Sequence, residues 1–198
     1  MKKIVLNLQS YAETYQQMKE LVTDDFFDNQ LWLLEHHPVY SIGLNKTGIR
    51  LPQNDIPLFY SNRGGKITYH GPGQSIIYTL INIQRLKLNI KTYVSLIEDS
   101  IINFLEEYNL SGHRIKNAPG IYIDNKKIAS IGLRLRKNIV YHGLSFNNNM
   151  DLTPFEAIDP CGFKGLKMCQ LKDFGINLDT MEVADKIANL LIDKLNNL

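Results

Sequence analysis

The sequence predicts an α+β fold, a mixed β-sheet layered with helices, on three observations. Candidate strands outnumber candidate helices, hairpin turns join several of the strands, and the helices do not alternate regularly with strands as they would in a doubly wound sheet. The chain has 198 residues, 44% hydrophobic and 21% charged, enough to bury the core of one domain spanning residues 1–198.

Each element follows from local pattern. Residues 2–9 (KKIVLNLQ) read as a strand. Ser10 and Glu13 form a capping-box pair that should start a helix, with Tyr11, Tyr15, Met18 and Val22 on one face and an end near Asp28-Asn29. The run QLWLLEH, 30–36, is apolar enough for a buried strand, His37-Pro38 bends it, and Val39 to Ile42 continues extended. Residues 45–55 carry Gly, Pro, Asn and charge and read as a surface loop. Ser75 to Ile83 is apolar on both faces, so it belongs in the middle of a sheet. Lys91 to Tyr108 repeats apolar residues at three and four and predicts a helix packed on that sheet. From Pro119-Gly120 to Asn149 the pattern is a three-stranded meander, with turns at Asp124-Asn125 and Asn138. A short turn of helix or loop begins at Asp151 to Pro154, and Asp179 with Glu182 caps a closing helix.

Bulk properties exclude several functions. A net charge of +2 without a block of like charge gives no reason to expect nucleic acid. Two cysteines are too few for a disulfide framework, which points to a reducing cytoplasm. No apolar run is long enough for a signal peptide or a membrane span. His36-His37 lack partners at metal-ligand spacing, so no metal is expected.

One stretch stands apart. RGGKITYHGPGQ, Arg63 to Gln74, packs four glycines, a proline, an arginine and a histidine into twelve residues. Gly64-Gly65 and Gly71-Pro72-Gly73 read as tight turns around a short extended Ile67-Thr68-Tyr69-His70, leaving backbone N–H groups that, with Arg63, could hold a carbonyl or carboxylate oxygen. Two plain hairpin turns are the simpler alternative. No Gly-Lys-Ser/Thr opens a helix here, against a phosphate loop.

A second signal is thiol chemistry. Cys161 lies between Pro160 and Gly162 on a turn, whereas Cys169 lies among Leu166, Met168 and Leu171 as a packing residue would. A thiol of ordinary pKa, roughly 8.5, needs a nearby cation or base to act as a nucleophile. His70, Lys127, His142, Lys164 and Lys167 are the candidates. Lys126 and Lys127 point to opposite faces of a strand, and the pattern leaves open which one faces in. His142 reads as structural, although His142-Gly143 repeats the pairing of His70-Gly71.

Taken together, RGGKITYHGPGQ, KKIASIGLR, YHGLSFNNNMDLTPF and IDPCGFKG, with LLEHHPVYSIG before them, resemble the octanoyl-acyl carrier protein:protein octanoyltransferase family, also called lipoyl(octanoyl) transferases. The resemblance runs from about Tyr11 to the last helix. It implies the α+β fold of biotin and lipoate ligases, and a Cys161 nucleophile whose pKa Lys127 lowers. It implies a substrate site lined by Arg63, Gly64, Gly65, Lys66, Ile67, Thr68, Tyr69 and His70. Ser130, Ile131 and Gly132 would complete that site with Gly143, Leu144 and Ser145. It further implies octanoyl-acyl carrier protein as donor and apo lipoyl domains of 2-oxoacid dehydrogenase complexes and the glycine cleavage H protein as acceptors, with no cofactor and no ATP. Two departures, His37 where the family often has proline and Cys169 where it often has a small or polar residue, leave that dyad untouched. Two other classes compete: an ATP-dependent lipoate or biotin protein ligase, and a non-catalytic module that docks on acyl carrier proteins, for which the basic run Arg134-Leu135-Arg136-Lys137 offers a surface.

Overall fold

The computed structural model describes residues 1–23, 28–160 and 165–198. Eleven strands and three α-helices lie among them in the order β1 (Lys2–Gln9), α1 (Tyr11–Leu21), β2 (Gln30–His36), β3 (Val39–Ile42), β4 (Leu58–Tyr60), β5 (Ile67–His70), β6 (Gln74–Asn82), α2 (Ile90–Glu106), β7 (His113–Ile115), β8 (Ala118–Ile123), β9 (Lys126–Arg136), β10 (Ile139–Asn147), β11 (Lys167–Met168) and α3 (Thr180–Asn196). The main sheet runs β1-β2-β6-β10-β9-β8-β7, with β11 against β9. β1 and β2 are parallel, and the strands from β2 through β7 are antiparallel to their neighbours on that path. A smaller sheet, β4-β3-β5, stands off it.

Three apolar clusters hold these layers. β6 and β10 are buried along their length because both faces of the sheet are covered there. On one face Ile77, Ile81, Val140, Leu144 and Phe146 meet Ile97, Ile101 and Phe104 of α2 and Val183, Ile187 and Leu191 of α3. On the other, Trp32, Leu34, Ile76, Tyr78 and Leu80 meet Met18 and Val22 at the end of α1. The third cluster joins the small sheet, through Tyr40, Ile42, Ile67 and Tyr69, to Met150, Phe155 and Ile158. A 3₁₀ turn over Thr153–Ala157 carries Phe155 into that cluster.

The predicted mixed, helix-layered sheet and the three-stranded meander are present, the latter as β8, β9 and β10. Details differ at α1. The Ser10 side chain makes no cap; instead its carbonyl accepts from the backbone and hydroxyl of Thr14, at 3.1 and 2.7 Å. The helix stops at Leu21, well before Asp28, because the Thr23 hydroxyl bonds the Glu20 carbonyl at 2.6 Å and competes with the next helical turn. The Asp179 cap forms as expected, accepting from Met181 and Glu182 backbone N–H groups. Among the described residues no helix is long and apolar enough to cross a membrane.

Candidate active site

The Arg63–Gln74 stretch folds as two turns around β5, and the turns do more than reverse the chain. Gly73 has φ +82 and its N–H donates to the Glu35 carboxylate at 2.5 Å, while Gly64 donates to Leu133 of β9 at 2.9 Å. These two N–H groups are therefore spent on the protein, contrary to the expectation that the turns leave them free. They stitch β5 to the edge of a cavity over the middle of the main sheet.

That cavity holds about 510 Å³ of empty space, partly opening to solvent. It is a slot rather than a chamber. Its walls are Arg63, Gly64, Gly65, Lys66, Ile67, Thr68 and His70 from the loop and β5, Ser130, Ile131 and Gly132 from β9, and Gly143, Leu144 and Ser145 from β10. Of the lining residues singled out in the sequence only Tyr69 lies elsewhere. Its ring packs instead against Tyr40 and Phe155 at 5.5 Å each.

Tyr11, Ile76 and Tyr78, which the sequence does not single out, also line the slot, as does His142, a candidate there only as a partner for the thiol. Tyr11 and Tyr78 looked like ordinary members of an apolar helix face and an apolar strand. For His142 a signal existed, the His-Gly pairing shared with His70-Gly71. Small residues matter on the floor: a Cβ on Gly143 would run into the Ile77 carbonyl, so β6 and β10 approach here more closely than any side chain permits.

The electrostatics are one-sided. Arg63 is 8% exposed, and its guanidinium donates to the Ser41 hydroxyl and carbonyl and to the Gly64 carbonyl at 2.6 to 3.1 Å. No carboxylate among the described residues pairs with it. The three histidines around it are held neutral. Burial lowers His36 to about 4 and His142 to about 3, and it drives His70 well below the usual histidine range, with His36 and Arg63 adding repulsion. Their partners set the tautomers: His36 Nδ1 faces the Gln9 carbonyl and Nε2 takes the Tyr78 hydroxyl at 2.7 Å, while His70 Nδ1 faces Gln74 Oε1 at 2.8 Å. Arg63, with Lys66 on the same wall, thus supplies the positive charge of a cavity whose histidines carry none.

Of the paired lysines, Lys126 is exposed and Lys127 is fully buried, which resolves the choice the sequence left open. Lys127 Nζ donates to the Pro119 carbonyl at 2.8 Å and lies 5.3 Å from the Tyr122 ring centroid. The next peptide is braced from α2: Gly120 N–H donates to Glu98 Oε1 at 3.3 Å, and Glu98 Oε2 accepts from Arg114 at 2.7 Å. Gly120 sits at φ +124, packed against the Lys127 side chain. Cys161 lies outside the described residues. Cys169 is 1% exposed, and burial pushes its thiol up to about 12, as suits a packing residue.

Comparison with known proteins places this geometry. A family model for the lipoyl protein ligase A/B catalytic domain matches residues 8–192. The octanoyltransferase of Vesicomyosocius okutanii is 42% identical over 197 residues, 98% of this chain and 97% of that protein. That of Nitrosomonas europaea is 44% identical over 190 residues, 94% of this chain and 93% of that protein. Among solved structures, a bipartite lipoate protein ligase from Thermoplasma acidophilum has a TM-score of 0.72 at 16% identity, covering 99% of this chain and 82% of that one. Biotin protein ligase from Aquifex aeolicus has a TM-score of 0.62 at 16% identity, covering 100% and 69%. The structural likeness establishes a shared α+β fold with the lipoate and biotin ligases. Near-full-length identity above 40% narrows it further: the chain belongs to the lipoyl protein ligase A/B catalytic-domain family and, within it, to the octanoyltransferases, which are acyltransferase enzymes.

Proposed function

We propose that residues 1–198 form one catalytic domain that moves an octanoyl group from octanoyl-acyl carrier protein onto a lysine of a lipoyl domain, through a thioester on Cys161. The observation that carries this reading is the slot itself, narrow, lined by Ile76, by the rings of Tyr11 and Tyr78 and by the glycines Gly132 and Gly143, in a chain similar over nearly its full length to octanoyltransferases. An unbranched acyl chain suits such a shape, and each buried methylene contributes roughly 0.8 kcal/mol.

In the first step the Cys161 thiolate attacks the thioester carbonyl, a C–S bond forms, and collapse of the tetrahedral intermediate expels the carrier's thiolate. In the second the acceptor lysine amine attacks the acyl-enzyme, loses a proton, and the Cys161 thiolate leaves. Thioester exchange needs no outside energy source, and formation of the amide drives the sequence forward. Lys127 favours the Cys161 thiolate in the first step and relays the amine's proton in the second. The acceptors in this reading are lipoyl domains of 2-oxoacid dehydrogenase complexes and the glycine cleavage H protein, in the cytoplasm.

Mixing the protein with octanoyl-acyl carrier protein and no ATP tests it. Intact mass should rise by one octanoyl group, hydroxylamine should remove it, and an apo lipoyl domain should take it up on lysine. Cys161→Ser should gain no mass. A ligase would stay unlabelled until ATP and free fatty acid are supplied, and a carrier-docking module would bind without covalent change. Equal labelling of Cys161→Ser would overturn the covalent route.

A further inference from the structure

His142 has a left-handed backbone, φ +61, in the middle of β10, which is costly for a residue with a side chain and calls for a reason. Alternation supplies one. Val140, Leu144 and Phe146, the other even positions of β10, point into the core beneath α2 and α3. His142 instead stacks on Tyr141 and Tyr15, at 5.0 and 5.8 Å, and lies 6.2 Å from Tyr78, on the cavity side. The strained backbone turns an imidazole out of an apolar core and into the wall of the slot.

Once there, the ring is half-satisfied. Nε2 donates to Asn62 Oδ1 at 2.8 Å, which leaves the lone pair on Nδ1, and Nδ1 is buried with no hydrogen-bond partner among the described residues. The Tyr11 hydroxyl is likewise buried and unpartnered. Both residues line the slot, 1% and 5% exposed, and both stand beside Tyr78, since Tyr11 packs at 5.0 Å on the His36 ring that takes the Tyr78 hydroxyl. One acceptor and one hydroxyl thus lack a polar partner among the described residues at the same end of the cavity.

That end is the far one. Ser145 pairs with Ser130, which pairs with Gly120, the residue packed against Lys127. His142 is three residues further along β10, roughly 10 Å at about 3.4 Å per residue. This is comparable with an extended octanoyl chain whose carbonyl sits at the Lys127 end. We propose that His142 Nδ1 and the Tyr11 hydroxyl form a polar end wall of the acyl cavity, and that this wall sets the upper chain length the protein accepts. The inference rests on reading the slot as the acyl site.

Magnitudes decide between a wall of this kind and mere volume. Two further methylenes would gain roughly fourfold each in binding. Pressed against the wall, they would take the place of the water that a shorter chain leaves room for beside the two groups, a loss on the order of thirtyfold for each. Discrimination against decanoyl therefore follows from polarity. An ω-hydroxyl, by contrast, can donate to His142 Nδ1 and accept from Tyr11.

The test uses Tyr11→Phe, which removes one oxygen, and His142→Asn, which retracts the polar group while tolerating a left-handed backbone. Calorimetry with octanoate, decanoate and 8-hydroxyoctanoate runs beside transfer from the matching acyl carriers. In each variant the decanoyl-to-octanoyl ratio should rise about tenfold or more, and 8-hydroxyoctanoate should lose about tenfold relative to octanoate. Ratios within about twofold of wild type in both variants would overturn the end wall. If octanoate binds wild type but no transfer occurs, the transferase reading fails while the binding ratios still decide the wall; if no acyl chain binds, both fall.

Discussion

At the scale of single residues, the two thiols illustrate how much chemistry depends on surroundings. Cys169 packs beneath β9, with Sγ 3.7 Å from the Lys126 carbonyl, and burial holds it protonated across the whole working pH range. Iodoacetamide at pH 8 is expected to leave Cys169 untouched in the native protein and to label it in urea; native labelling on peptide mapping would contradict the burial argument. Lys127→Met keeps most of the side-chain volume and removes the cation. On the proposed mechanism, alkylation of Cys161 should then move to higher pH and transfer should fall by at least about a hundredfold, while an unchanged alkylation profile would remove Lys127 from that role. The packing character of Cys169 was legible from its apolar neighbours Leu166, Met168 and Leu171. The inward turn of Lys127 rather than Lys126 was not. It depends on the register break between Ile121 and Tyr122, where β8 and β9 shift by one residue, and a one-residue shift reverses which face a side chain takes.

At the scale of elements, most of the sheet could be read because its strands carry continuous apolar runs and its turns carry their own chemistry. Lys137 and Asn138, at φ +46 and +66, make the tight hairpin between β9 and β10 that Asn138 announced. The short strands β4, β7 and β11 escaped notice because two or three residues have no periodicity to detect. The slot escaped in part for a similar reason: it is assembled from α1, β5, β6, β9 and β10, and register rather than local pattern brings Tyr11, Tyr78 and His142 together. The brace from α2 to β8 is also invisible without the fold, and it makes a prediction. At φ +124, a Cβ on Gly120 would collide with the Ala129 carbonyl and approach Lys127 Cε to 2.6 Å. Gly120→Ala should therefore cost about 2 kcal/mol or more in urea unfolding, through backbone strain and overpacking together, and should reduce transfer by displacing Lys127. A variant as stable and as active as wild type would show that the brace is slack.

At the scale of the whole molecule, the three buried histidines tie stability to pH. His36, His70 and His142 are neutral in the folded protein because burial lowers all three, to about 4 for His36, to about 3 for His142, and well below the usual range for His70. The unfolded chain binds a proton at each near pH 6.5. A depressed folded pKa means that stability is complete above the unfolded value and is lost as pH falls below it, since only the unfolded chain takes up protons in that window. Near pH 5 unfolding should therefore absorb close to three protons, a slope approaching about 4 kcal/mol per pH unit that flattens again towards pH 4 as folded His36 begins to protonate. Against a typical domain stability of about 5–15 kcal/mol, that is enough to unfold the protein by roughly pH 5 to 4. Urea melts at pH 7, 6 and 5 measure the slope directly. His36→Gln, which keeps an acceptor for Tyr78, should lower the proton uptake by about one. A stability that stays flat from pH 7 to 5 would mean that the histidines can charge in place, and the cavity they surround would then be far wetter than its packing implies.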